Sequence, residues 1–235
     1  DTVEIISNGK KLYVSPEGDN NHDGLTPVTA KATFSNVVAA ALEGDTIIVA
    51  DGLYSEAYVI NFEQLGVVVM AAEGAKPVVQ LTGQWTSIVL MATTTFDGIT
   101  FDGAGIAYYL LSSKGTDAGT FTFKNCEFTN WDSYWAISNQ YSDNTHVKSV
   151  VVDNCVFHDA TGAAIHFNEN GPRGAHACDN LTITNSTFYN LSVVEWVGII
   201  QLDGNSGAKQ PNNLTIDHIT MYNYKSSELG GNVSD

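Results

Sequence analysis

Five stretches of the chain repeat one alternation of apolar and polar positions. They are TTFDGITFDG (94–103), FTFKNCEFTN (121–130), VVVDNCVFHD (150–159), LTITNSTFYN (181–190) and LTIDHITMYN (214–223). Apolar side chains at alternate places read as short strands with one face buried. The fifth place holds Gly98, Asn125, Asn154, Asn185 or His218, and the eighth holds Phe101, Phe128, Phe157, Phe188 or Met221. Asn and Gly tolerate left-handed backbone angles, so the fifth place predicts a tight bend between two strands. The steps between fifth places are 27, 29, 31 and 33 residues. A constant motif on a lengthening period means fixed strands joined by growing loops.

A third strand follows each motif after a further loop: Ala136-Ile137-Ser138, Ala164-Ile165-His166-Phe167 and Ile199-Ile200-Gln201-Leu202. Upstream the beat runs through strands around Ile48, Val68, Val89 and Leu110, about every 21 residues. Three strands per turn with no helix between them describe a β-solenoid. Its turns, about 4.8 Å apart, would stack Asn125, Asn154 and Asn185 into a buried ladder and align the Phe places. A twisted β-sandwich also has short strands and turn signals, but it gives no reason for the Asn and Phe places to recur in step.

Ser35 to Leu42 has helical apolar spacing and precedes a strand at Thr46 to Val49, which suits a lid over the open end. The whole of 1–235 reads as one domain, with the cap over about 1–45. The last motif is followed by YKSSELGGNVSD, with no amphipathic helix to close the far end. Ile216, Ile219 and Met221 are therefore expected near water, and further protein beyond 235 or another chain is expected to cover them.

Composition narrows the function classes. Apolar residues make up 43% and charged residues 15%, enough for a sizeable core. No run of eighteen apolar residues exists, so no transmembrane segment is expected. A net charge of −16 lacks the basic footprint that nucleic acid requires. It also repels anionic polysaccharides unless a cation or a local basic cluster intervenes. Cys126 and Cys155 share one repeat place, and no C-x-x-C occurs, so the three cysteines read as small buried hydrophobes rather than a disulfide or zinc set.

The stretch LYVSPEGDNNHDGLTPVTAKATFSNVVAAALEGDTIIVADGLYSE (12–56) resembles the opening of secreted right-handed parallel β-helix proteins of the polysaccharide-lyase type. The Asn-bearing repeats resemble the asparagine ladder of pectate-lyase-like and chondroitinase-B-like folds. The resemblance covers nearly the whole chain. It implies an all-β right-handed parallel β-helix with three strands per turn and a short N-terminal capping helix. It further implies a secreted or cell-surface protein of bacterial type, with a polysaccharide along the outer face of one sheet.

On that face, strand alternation assigns Ser138, Gln140, His166, Asn168, Gln201 and Asp203 outward, with Ile165, Phe167, Ile200 and Leu202 inward. The loops that follow carry Glu169, Arg173, His176, Asn205 and Lys209. The segment before the third strand, NWDSYW (130–135), brings Trp131, Tyr134 and Trp135, and Trp196 holds the matching rim two turns later. Flat aromatic faces beside polar groups suit stacking on sugar rings. The expected substrate contacts are therefore Trp131, Tyr134, Trp135, Ser138, Gln140, Asn168, Trp196, Gln201 and Lys209. β-Elimination from a uronate needs a base and a cation on the carboxylate. The bases that the sequence offers are His166, Arg173, His176 and Lys209, of which His166 or Arg173 is the expected one. Glu169 and Asp203 are the expected calcium ligands, with Asn168, Asn170 and Asn205 as helpers. The stretch DNNHDG (19–24) has the composition of a calcium loop and equally that of a plain turn. Two functions stay open: an extracellular protein that binds or cleaves a glycan, and a structural or adhesive solenoid with a protein partner.

Overall fold

The computed structural model describes residues 9–139, 144–167, 173–193, 198–202 and 209–226. The chain winds through three parallel sheets in strict order. The first has eight strands: Lys11–Val14, Thr46–Val49, Val67–Ala71, Thr94–Asp97, Thr120–Lys124, Val147–Asp153, Cys178–Thr184 and Asn213–Asp217. The second holds Leu53–Glu56, Val78–Leu81, Thr100–Asp102, Glu127–Thr129, the starts of Val156–His166 and Thr187–Val193, and Thr220–Tyr222. The third holds Ile60–Phe62, Ile88–Leu90, Tyr109–Ser113, Asp132–Ser138, the end of Val156–His166, and Ile200–Gln201. Each circuit of the three sheets is one turn, so the molecule is a parallel β-helix. The strand Val156–His166 rounds a corner unbroken and belongs to two sheets.

The fifth place of the motif is the bend between first and second sheets. Its φ is 73° at Gly98, 53° at Asn125, 54° at Asn154, 51° at Asn185 and 53° at His218. The left-handed region explains the residue types, since Gly and Asn enter it at least cost. The expected burial does not hold: Asn125, Asn154 and Asn185 are exposed at the corner. Their amides do bond along the axis, Asn154 Nδ2 to Asn125 Oδ1 at 2.7 Å, but Asn125 donates to Asp97 and Asn185 to Asp153. A bend at a corner turns its side chain outward, so conformation rather than core hydrogen bonding selects these residues. A second left-handed column, which the repeat also carries, lies at the tenth place: Asn130, Asp159, Asn190 and Asn223, with φ of 51–54°.

The core behaves as the eighth place predicts. Phe101, Phe128, Phe157 and Phe188 are fully buried and stack at centroid separations of 5.3, 4.4 and 4.8 Å. Cys126, Cys155 and Cys178 are free and buried, and burial pushes the Cys178 thiol up to about 12. The cap is a helix, α1 (Phe34–Ala40), which starts when Thr33 accepts from the Asn36 backbone N–H and which buries Phe34, Val37 and Val38. Glu56 steadies it by accepting from Ser35 N at 3.0 Å. At the opposite end, Ile216 and Met221 are each 47% exposed and Ile219 is half-buried.

The upstream beat needs correction. Ile48 and Val68 lie in the first sheet, Val89 and Leu110 in the third, and the inward column of the third sheet is Ile60, Ile88, Leu111, Ile137, Ile165 and Ile200. Short apolar strands recur at the same interval in every sheet, so spacing alone joins strands of different sheets.

Candidate functional site

The outer column of the third sheet runs Asn61, Val89, Ser112, Ser138, His166 and Gln201, each in register with the next. Alternation places the sides as expected: Ile165 and Phe167 belong to the core cluster and His166 does not. Exposure differs. His166 is 1% exposed, Ser138 and Ser112 are buried, and Gln201 is half-buried. Alternation fixes which side of a sheet a residue takes, not what lies over it. Here Trp135 lies over His166, with ring centroids 3.9 Å apart and planes 8° from parallel.

This covered face carries unpaired polar atoms. Trp135 Nε1, His166 Nδ1 and Gln201 Oε1 are each buried without a hydrogen-bond partner. A buried polar atom left unpaired costs about 1–3 kcal/mol, so native proteins seldom tolerate several on one face without a reason. Burial also pushes the His166 imidazole down from 6.5 to about 3. The ring is neutral at pH 7 and a weak base. Ser138 and Ser112 close the column, their hydroxyl oxygens 3.3 Å apart.

The leading rim of the same sheet is aromatic, and more of it than the sequence reading named. Trp85, Tyr108, Tyr109 and Tyr134 form a continuous cluster with Trp135: Trp85–Tyr108 at 4.9 Å, Tyr108–Tyr134 at 4.8 Å, Tyr109–Tyr134 at 5.3 Å and Tyr134–Trp135 at 5.1 Å. Trp85 is 63% exposed and Tyr134 37%. Trp85, Tyr108 and Tyr109 were legible only by laying the short upstream turns onto the long ones. Trp131, expected at the surface, is instead in the core cluster. Gly162 makes room for this segment: a Cβ there would stand 2.3 Å from the Tyr134 carbonyl oxygen and 2.9 Å from Trp131 Nε1. A second aromatic column, His158–Tyr189–Tyr222, stacks ring on ring at 4.8 and 5.1 Å, so within it the faces are taken by one another.

Beyond the strand ends, Arg173 and Lys209 are exposed, and a bridge between His176 and Lys209 joins their two loops. Gln140, Asn168, Glu169, Trp196 and Asp203 lie outside the described residues. Among the described residues no group of three His, Cys, Asp or Glu side chains could hold a metal ion. In the 19–24 turn the cation is internal: Lys31 Nζ donates to the carbonyl oxygens of Asn20 at 3.2 Å and His22 at 2.9 Å. Asp19 and Asp23 accept backbone N–H bonds from Asn21 and Leu25, which hold both carboxyls below their usual range. These hydrogen bonds close the segment into a turn.

No protein-family model matches the chain, and no curated protein does. Its likeness to known proteins is one of fold. Among solved structures it is similar to one described as "Rhamnogalacturonan lyase", at 14% identity and a TM-score of 0.40, over 93% of this chain and 54% of that one. It is also similar to a mutant of the PL6 family alginate lyase AlyGC, at 13% identity and a TM-score of 0.46, over 96% of this chain and 38% of that one. The chain therefore spans about half, or less, of the length of these structures. The parallel β-helix rests on the strand pairing itself. No helix among the described residues is long and apolar enough to cross a membrane.

Proposed function

We propose that this protein is an extracellular polysaccharide-binding β-helix whose ligand seats on the outer face of the third sheet. One observation carries the reading: Trp135 Nε1, His166 Nδ1 and Gln201 Oε1 stand unpaired on one face, beside an exposed aromatic rim. Sugar hydroxyls both donate and accept, and they would complete all three. Aromatic rings give the apolar face of a pyranose its partner. The ligand meets the rim directly, and reaches the three buried atoms as the side chains over them shift.

At His166 the chemistry favours holding a ligand over abstracting a proton. A base that abstracts a carbon-bound proton works best with a pKa near the operating pH. His166, held at about 3, falls far below it. Arg173, the other expected base, is exposed on a loop, as is Lys209. A depletion assay over a panel of insoluble and soluble polysaccharides, with ultraviolet absorbance for unsaturated products, tests the proposal. Retention on at least one glycan without new absorbance is expected. Failure to bind any member, or rising absorbance, would contradict it.

A further inference from the structure

Resting on that site, the structure assigns an uncharged polysaccharide as the ligand, laid along the solenoid axis over an aromatic row that no catalytic step requires. Three successive turns place an aromatic residue on the same rim, where the second sheet passes into the third. These are Trp85, Tyr108 and Tyr134, with centroid steps of 4.9 and 4.8 Å that match the rise from turn to turn. One turn nearer the cap, the equivalent connection carries Tyr58, 83% exposed. Tyr108 is half-buried between the exposed Trp85 and Tyr134, and a contiguous aromatic row with exposed members on a rigid frame marks a contact surface. Its periodicity follows the axis, so an extended chain lying along that axis meets one ring per turn.

Charge decides the class. The rim segments AYV (57–59), TGQWTS (82–87), GAGIAY (103–108) and NWDSY (130–134) contain no Lys or Arg. Their single ionisable carboxylate, Asp132, is engaged with the Thr161 hydroxyl at 2.7 Å and the Ser133 hydroxyl at 3.0 Å. A uronate polymer on this rim would meet aromatic rings, one acid and a molecule of net charge −16, and none of the four segments offers a Lys or Arg to receive its carboxylates. A neutral polymer meets only what it can use. The rings meet edge to face, at 87° between Trp85 and Tyr108 and 63° between Tyr108 and Tyr134. The exposed surfaces of Trp85 and Tyr58 therefore receive its C–H groups, and polar groups such as Gln84, which bonds the Tyr108 hydroxyl, read its hydroxyls.

The test is affinity electrophoresis of the whole protein in gels cast with neutral polysaccharides (mixed-linkage glucan, galactan, xyloglucan) or acidic ones (polygalacturonate, alginate). Each is run at low and at high salt. Trp85→Ala and Tyr58→Ala, both at exposed positions, are run beside wild type with thermal melts to confirm folding. At least one neutral polymer is expected to retard wild type equally at both salt levels, and Trp85→Ala is expected to weaken that binding about tenfold, the scale of one aromatic contact. Retardation by acidic polymers alone would overturn the uncharged class while leaving the glycan site standing. Wild-type retardation of Trp85→Ala would overturn the axial row, also without touching the site. No retardation by any polymer would overturn both.

Discussion

Asn154 and His166 show how a residue's reason can differ from its pattern. Asn154 recurs because the corner demands a φ of 54°, not because a core amide must be paired. Asn154→Ala is expected to cost about 1 kcal/mol and Asn154→Gly less than about 0.5, since only the first forces a Cβ-bearing non-Asn residue into the left-handed region. Urea unfolding of the two variants checks this, and equal losses would favour the side-chain bond to Asn125 instead. His166 makes a second prediction. The unfolded chain takes up a proton below about pH 6.5, while the buried ring refuses it until about 3. Stability linked to this group is therefore present above pH 6.5 and is lost as pH falls from 6.5 toward 3. Between pH 7 and pH 5 wild type should lose about 2 kcal/mol more than His166→Gln. Parallel pH dependences would show that the ring is not buried as described.

At the scale of elements, the Phe stack and the end of the helix offer a matched pair. Phe128 sits between Phe101 and Phe157 with no exposure, whereas Met221, the same place in the last described motif, is 47% exposed. Phe128→Ala should cost about 3–5 kcal/mol and Met221→Ala under about 1 kcal/mol, measured by the same unfolding curves. The strands themselves were legible in the sequence because side-chain alternation and bend residues are local facts. The third sheet was legible in its later turns, where Ile137, Ile165 and Ile200 stand in true register. It failed upstream, where strands of three to five residues carry too little pattern to tell one sheet from the next.

Across the whole molecule, the outer face of the third sheet sets three unpaired polar atoms, Trp135 Nε1, His166 Nδ1 and Gln201 Oε1, beside an exposed aromatic rim. Alternation told which residues share that face, and NWDSYW announced an aromatic rim. The lid that Trp135 forms over His166 was not legible, because it depends on the path of a segment crossing between turns and on the space that Gly162 leaves for it. The same packing explains why Trp131 turns into the core while Tyr134, three residues on, faces water. What this face does is decided by where a glycan sits. A co-crystal structure with an oligosaccharide that the protein retains is the most direct measurement. Sugar density along the third sheet is predicted, with hydroxyls bonded to Trp135 Nε1, His166 Nδ1 or Gln201 Oε1. Density beside Tyr189 and Tyr222 on the second sheet, with Trp135 and His166 left as they are, would contradict it.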